Sequence, residues 1–474
     1  MSTALLWFRN DLRLHDNPAL YHACKNHEKV ILIYIFEENK KNILGTAKSW
    51  WLHHSLNALN KNLLKKNAKL IINKGNSLDV ILELIQNYNI EAVYWNRRYD
   101  IDGIKQDKKI KAQLLSGNIT ARSFNANFLI EPWDILNNQN SFFKVFTPFF
   151  KKYISICNTK NFDTRSTPKV INTIDIESIK LSELNLLIDK LDWQNKFKNY
   201  WQPGEKMALK QLDNFIDSKL EFYKLNRDIP FEDYTSKLSP YLSLGEISPK
   251  FIWNKLQDIK STGDYNHIDI EKYQAQIIWR EFSNYLLYHF PELPNKNFNE
   301  KFNNFRWNNE QSKLNLWKKG LTGYPLIDAG MRELWETGYM HNRVRMVVAS
   351  FLIKDLLIDW RIGAAWFEET LLDADIANNS ASWQWVAGSG VDSAPYFRIF
   401  NPILQSEKFD SKGLYIRKWC KELDKLDNKF IHKPWQAPKE ELKQAGVVLG
   451  ETYPFPIIEH DKARKRALEL YKLL

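Results

Sequence analysis

Between Asp373 and Pro402 the chain sets acids (Asp373, Asp375), amides (Asn378, Asn379, Gln384), indoles (Trp383, Trp385) and a guanidinium (Arg398) within one short stretch. A segment built only to fill a core would repeat aliphatic residues at helical spacing and keep carboxylates away from indoles. Amides and carboxylates beside aromatic faces suit a planar ligand rich in heteroatoms. A second cluster, Thr235-Ser236-Lys237-Leu238-Ser239, offers three hydroxyls, an ammonium and backbone amides, a donor set that suits a diphosphate. Read on spacing alone, the same hydroxyls are ordinary helix caps, because Ser239-Pro240 is a good helix entry. There is no Gly-x-Gly-x-x-Gly after the first apolar run and no phosphate-binding loop ending in Gly-Lys-Ser/Thr, so the usual glycine route to a dinucleotide is not supported. His-x-x-x-His, Cys-x-x-Cys and a Ser/His/Asp arrangement are also missing, so neither metal nor nucleophilic catalysis is expected.

The elements that must position these groups fall into two kinds. From residue 4 to about 124, short apolar runs (4–8, 30–36, 69–72, 92–95) alternate with amphipathic segments such as 47–66 and 77–87. Continuous apolar runs fit strands covered on both faces, so the expected fold is an α/β N-terminal domain with a doubly wound parallel sheet, residues 1–130. Asp16-Asn17-Pro18 supplies helix-start chemistry. Residues 131–200 lose this rhythm and read as an interdomain connector with short helices. From 201 to 474 helical periodicity dominates, over 205–220, 270–290, 324–336, 343–358 and 364–372, giving a larger all-α domain.

With 474 residues, two well-packed domains are expected. The 18 Trp, 20 Tyr and 27 Phe go mostly to core, with part available for stacking on bases or a chromophore. The net charge of +11 favours anionic partners, but Lys is spread along the chain, so charge alone does not separate a nucleic-acid surface from a solvated one. Cys24, Cys157 and Cys420 are too far apart in sequence for a disulfide framework, which fits a reducing cytoplasm, and no apolar run reaches membrane-spanning length.

The order and wording of the motifs resemble the DNA photolyase/cryptochrome family. Trp7-Phe-Arg-Asn-Asp-Leu-Arg13, Thr235 to Ser239, Trp279-Arg-Glu-Phe282, Thr322-Gly-Tyr-Pro-Leu-Ile-Asp-Ala-Gly-Met-Arg-Glu-Leu334, Met340-His-Asn-Arg-Val-Arg-Met346 and the 373–402 stretch all match, and within the family the chain is most like a bacterial cyclobutane dimer photolyase of class I type. The resemblance implies FAD held by Tyr223, Thr235, Ser236, Lys237, Leu238, Ser239, Arg280, Arg345, Asp373, Ala374, Asp375 and Asn379. It places Asn379 against flavin N5, where a neutral amide tolerates a reduced anionic ring better than a carboxylate would. Trp383, Trp360 and Trp307 occupy the family's electron-relay positions.

The resemblance also implies damaged DNA as the partner. A base must leave the stack before buried chemistry can reach it. Trp279 and Trp385 match the two indoles that receive the flipped lesion, Asn342 and Met346 match other lesion contacts, and Arg227, Arg343, Arg398, Gln405 and Lys408 match positions near the DNA backbone. Gln276 departs from the pattern, since cyclobutane-dimer enzymes usually carry Glu there. Glutamine at this site is more usual in (6-4) photolyases and animal cryptochromes, while the paired histidines of a (6-4) enzyme are missing from Met340-His-Asn-Arg343. Light-driven repair of cyclobutane pyrimidine dimers is the expected function, with (6-4) repair and a cryptochrome-type blue-light receptor as alternatives. A monomer without an obligate protein partner is expected. The folate pocket of one subgroup is replaced by Asp102-Gly103 and Pro294-Asn295, so an antenna chromophore, methenyltetrahydrofolate or a flavin or deazaflavin, stays open; Trp50-Trp51 could stack a pterin or serve a helix core.

Overall fold

Residues 2–37, 44–188, 192–263 and 265–474 are described by a computed structural model; residues 189–191 of the expected connector lie outside it. The chain forms two compact units. One comprises Met1–Glu221, Ser236–Pro291 and Leu372–Asp375, the other Phe222–Thr235, Glu292–Leu371 and Ile376–Leu474.

In the first unit five strands, β1 (Thr3–Phe8), β2 (Lys29–Phe36), β3 (Ile71–Lys74), β4 (Ala92–Asn96) and β5 (Thr120–Phe124), make one parallel sheet in the order β3, β2, β1, β4, β5. The register pairs Leu5 with Ile31 and Val93, so the apolar runs lie side by side at the centre of the sheet. Helices α1 (Pro18–Asn26), α2 (Thr46–Leu64), α3 (Ser77–Tyr88) and α4 (Ile101–Ser116) connect the strands. Leu5, Trp7, Ile31, Ile33, Val93 and Trp95 pack with Val80, Ile81 and Leu84 of α3 and Ile110 and Leu114 of α4. The alternate residues Ala4, Leu6, Phe8 and Leu32 are equally buried on the other face, as a sheet covered on both sides requires. The Asn17 side chain accepts from Leu20 N at 3.1 Å and caps α1 as its sequence context predicts. The fifth strand has no apolar signature in the sequence: Thr-Ala-Arg-Ser-Phe lies at the sheet edge, where only one strand partner and one covered face are required.

Strand order reverses at β1, the place where open parallel sheets usually receive ligands. Here that end of the sheet is filled. The Arg9 guanidinium donates to both Asp107 oxygens at 2.7 and 3.1 Å and to the Asn96 carbonyl, and Asn96 Nδ2 donates to Asp11 at 2.6 Å. Arg9, Asp11, Asn17, Asn96 and Asp107 are all buried. The Trp7–Arg13 motif is therefore an internal polar brace, and Arg13 extends it by donating to the carbonyls of Asp16, Ala126 and Gly245 at 2.7–2.8 Å.

A second buried group ties α2 to the helices that follow. Trp51 Nε1 and Ser55 Oγ donate to Glu246 at 2.8 and 2.5 Å, and Glu246 is fully buried. Trp50 and Trp51 are buried against His54, Phe197, Trp201 and Tyr241, so the aromatics of this segment are core. Burial pushes the Glu246 carboxyl up to about 8. The folded state then holds a proton that the unfolded chain releases at an ordinary carboxylate pKa. That contribution is complete below the unfolded value and is lost as pH rises towards about 8. Glu246→Gln should flatten the fall in stability across this window, which is at most about 1.4 kcal/mol per pH unit for one proton. Urea midpoints at several pH values compare the two proteins; parallel profiles would refute the assignment.

The second unit is helical. Helix Pro325–Thr337 begins where Asp328 gathers Thr322 N (2.7 Å), Thr322 Oγ1 (2.6 Å), Gly323 N (3.0 Å) and Tyr453 Oη (2.8 Å). Gly323 has φ +79°, and a Cβ there would lie 2.4 Å from the Phe455 backbone, so only glycine suits the turn. The periodic stretch 343–358 is not one helix. An α-helix over Asn342–Ser350 passes into a π-helical turn at Phe351–Asp355. The turn buries Lys354, whose ammonium donates to the Arg398 carbonyl (3.0 Å), and Asp355, whose carboxylate pairs with His460 Nδ1 (2.5 Å). A widened turn of this kind is a recognised way to place polar side chains off the regular helical face.

Candidate flavin and lesion site

Within the first unit, Ser239 begins a short helix and its Oγ donates to Asp373 Oδ2 at 2.6 Å, so two sequence-distant site segments meet. Lys237 adopts the left-handed region at φ +50°. Ser236 is held at both ends: its carbonyl accepts from Gln211 Nε2 at 3.0 Å and its Oγ from Leu238 N at 3.4 Å. The Ala374 carbonyl accepts from the buried Lys48 ammonium, fixing the backbone that presents Asp373 and Asp375. The donor set fits FAD: hydroxyls and an ammonium on one strip suit phosphate oxygens, and two carboxylates on the other suit sugar hydroxyls and a ring N–H. Leu238 is buried, and Ser236 and Lys237 are half-buried.

Arg280 and Trp279 sit on the long helix His267–His289 of the same unit. The Arg280 guanidinium donates to the Asn127 carbonyl at 3.0 Å and to Glu281 at 3.2 Å and lies over the Phe128 ring. Trp279 is half-buried and stacked face to face with Phe146. Gln276 is half-buried, its Nε2 donating to the Lys272 carbonyl at 3.2 Å.

In the second unit Asn379 lies on helix Ile376–Ala387, and its Nδ2 donates to the Ala364 carbonyl at 2.9 Å and to Glu368 at 3.2 Å. Both donor hydrogens are thereby directed into the protein, and the amide oxygen remains the acceptor end. Trp383 on the same helix is 2% exposed, Trp360 is 0% exposed, and Trp307 is half-buried. The first two expected relay positions are buried and the third is partly exposed. Trp360 Nε1 donates to Asn297 Oδ1 at 2.8 Å, a partner that carried no sequence signal. Trp383 is gripped by Phe367 at 5.0 Å and by Gly363, where a Cβ would lie 2.2 Å from the indole. Gly363→Ala should therefore push the ring aside, costing about 1–3 kcal/mol of stability as overpacked cores do. A thermal melt within one degree of the parent would count against this close fit.

Not every polar residue of the 373–402 stretch faces a ligand. Gln384 is fully buried and acts as a clamp: its Oε1 accepts from Phe298 N at 2.9 Å while its Nε2 donates to the carbonyls of Leu293 (2.7 Å) and Lys296 (2.9 Å). Trp385 is half-buried beside it.

The candidate DNA residues of this unit divide into two groups. Arg343 pairs with Asp228 at 2.9 Å, lies over the Phe409 ring at 4.4 Å and reaches the Met346 sulfur at 3.8 Å, while Arg227 pairs with Asp228 at 3.8 Å and covers Tyr223. Asp228, missed in the sequence, is the acid that holds both arginines. His341 Nδ1 accepts from Arg343 N, so its Nε2–H donates to the Arg227 carbonyl at 3.0 Å; burial lowers its pKa to about 4 and keeps it neutral. Arg345 donates to the Met340 carbonyl at 2.7 Å and covers the Tyr339 ring. Asn342, Arg398 and Lys408 are exposed and Gln405 is half-buried. Among the described residues no group of His, Cys, Asp and Glu could hold a metal ion, and no helix is long and apolar enough to cross a membrane.

Residues 4–169 match the family described as DNA photolyase, and residues 273–473 match the FAD binding domain of DNA photolyase. A deoxyribodipyrimidine photo-lyase of Agrobacterium fabrum is 47% identical, over 98% of this chain and 97% of the relative. Cryptochrome-2 of Arabidopsis thaliana is 35% identical over 97% of this chain but only 77% of its own length. The crystal structure of a bacterial class III photolyase from Agrobacterium tumefaciens superposes with a TM-score of 0.96 at 46% identity, covering 100% of this chain and 98% of the other. That neighbour is described as class III, whereas the motifs of this chain resemble class I. The ordered motifs, the sheet followed by helices and these full-length likenesses agree, and the chain belongs to the DNA photolyase/cryptochrome family.

Proposed function

We propose that the protein is a deoxyribodipyrimidine photo-lyase that repairs cyclobutane pyrimidine dimers in DNA under blue or near-ultraviolet light. The observation that carries this reading is the neutral, orientation-locked amide of Asn379, whose oxygen can accept from a ring N–H without adding charge to the pocket. Bound FAD supplies the light-driven electron that opens the dimer's carbon–carbon bonds. The rest is positioning and electrostatics by the chain. In the first unit Ser236, Lys237 and Ser239 would hold the diphosphate, with Leu238 and Ala374 as backbone contacts, Asp373 and Asp375 as acceptors, and Arg280 as a further cofactor contact. In the second unit Tyr223, Thr235 and Arg345 would complete the cofactor contacts. Trp383, Trp360 and Trp307 would return electrons from the surface. Trp279, Trp385, Gln276, Asn342 and Met346 would receive the flipped lesion, and Arg227, Arg343, Arg398, Gln405 and Lys408 would position the backbone.

Functionally we divide the chain into an N-terminal α/β domain (1–130), a connector (131–200) and a cofactor and DNA domain (201–474). We propose a cytoplasmic location, in keeping with three cysteines that are all free, and a monomeric state. Gln276 motivates a second substrate, the (6-4) photoproduct. Purified protein with reductant and blue light, offered oligonucleotides carrying either lesion, decides among the readings. Repair of the cyclobutane lesion supports the proposal and repair of the (6-4) lesion alone replaces the substrate. A flavin-loaded protein that repairs neither would be a cryptochrome-type receptor.

A further inference from the structure

The connector delivers an aromatic ring to the candidate lesion site. Phe146 opens helix α5 (Phe146–Thr159), and its ring centroid lies 3.5 Å from that of Trp279 with the planes 9° apart. Aromatic pairs usually meet edge to face or offset, so a face-to-face sandwich takes up one side of the indole. Phe146 is anchored in place. It packs 5.6 Å from both Phe150 and Phe282, and α5 is fixed one turn later by Phe149, which is 0% exposed. Tyr153 of the same helix donates its hydroxyl to Glu281 at 2.8 Å, and Glu281 follows Trp279 by two residues. The ring of Phe282 meets the indole nearly edge-on, at 5.9 Å and 74°. Among the described residues these two rings take one face and one edge of Trp279, and no aromatic ring packs on its opposite broad face.

We propose that Phe146 is a positioning residue for lesion recognition: it backs the Trp279 indole, sets its plane and leaves the opposite face for the flipped-out, covalently joined pyrimidines of the lesion. The proposal rests on Trp279 being a lesion contact. It also gives the connector a part in substrate recognition.

The test measures affinity for an oligonucleotide containing a cyclobutane thymine dimer and for the same sequence undamaged, together with repair per bound lesion. Phe146→Ala should weaken lesion binding about tenfold, the scale of one aromatic pair, while binding to undamaged DNA, flavin absorbance and repair per bound lesion stay at parent values. Phe146→Tyr should restore the lesion preference, because it keeps the flat ring. Phe146→Leu keeps apolar bulk without a flat face, so it should fold like the parent and still lose preference; it serves if the alanine protein does not fold. An unchanged preference in the folded variants overturns the proposal. Tighter lesion binding does so too, because Phe146 would then be a cover that the lesion displaces. Trp279→Ala is run alongside: if it keeps the lesion preference, the underlying assignment of Trp279 has failed, whatever Phe146 does.

Discussion

Trp383→Phe should slow light-driven reduction of the bound flavin by at least about a hundredfold, a barrier increase of about 2.7 kcal/mol, because a benzene ring gives up an electron far less readily than an indole. The substitution changes little else. The ring stays aromatic and keeps its contacts with Phe367 and Gly363, so the melting temperature should move by only a few degrees. Repair driven by light alone should then fail, and adding a chemical reductant should restore it. Trp317→Phe is the matching control. Trp317 lies 6.5 Å from Trp383, is fully buried and donates to the Val348 carbonyl at 3.1 Å, yet it stands outside the expected relay. Flash photolysis following flavin bleaching measures both. Normal photoreduction in the Trp383 variant would sink the relay assignment, and equal loss in the Trp317 variant would show that packing, not electron transfer, was disturbed.

Asn379→Asp should cost at least about tenfold in repair, equivalent to about 1.4 kcal/mol. The carboxylate loses the donation to the Ala364 carbonyl and turns an attractive 3.2 Å contact with Glu368 into a repulsive one. Losing this hydrogen bond to the part-buried Ala364 carbonyl, which keeps its helical backbone partner, costs about 0.5–1.5 kcal/mol by itself. If the charge persists, the bound flavin should be harder to reduce by about 60 mV, one tenfold step for a one-electron couple. If the new acid instead takes up a proton, the potential stays near the parent value and its pH dependence steepens. Spectroelectrochemistry over a range of pH tells these apart. A variant that keeps its repair rate and potential, with no new pH dependence, would show that the amide's polarity is irrelevant to the chemistry.

The sheet and the helical half were legible because burial on both faces forces continuous apolar runs at β1, β2 and β4, and one-sided burial forces helical periodicity beyond residue 201. What escaped notice did so for physical reasons. β5 needs no apolar run at an edge. The π-helical turn at Phe351–Asp355 is hidden inside a pattern that still repeats at three- and four-residue steps. Gln384 looks like a ligand contact by type and is an internal clamp by geometry, a difference visible only when Leu293, Lys296 and Phe298 are brought beside it. Phe146 lay in a stretch read as connector, although Phe-Thr-Pro-Phe-Phe was a signal of a helix start with an aromatic face. Asp228 and Asn297 are single polar residues whose partners come from elsewhere in the fold, and local pattern says nothing of such pairs.

The hydrogen bonds on Asp328 have a consequence for which parts of the second unit can open alone. Tyr453 reaches this carboxylate from 125 residues away, Ile457 N donates to the Thr322 carbonyl, and the Tyr324 hydroxyl donates to the Ile458 carbonyl. The segment 453–460 is thus sewn into the turn that starts a central helix, so it cannot fray as terminal segments commonly do. Its amide protons should exchange with deuterium only as slowly as those of Thr322 and Gly323, in one cooperative event. Cleavage near residue 450 would remove a seam of the helical unit, and both pieces should loosen together.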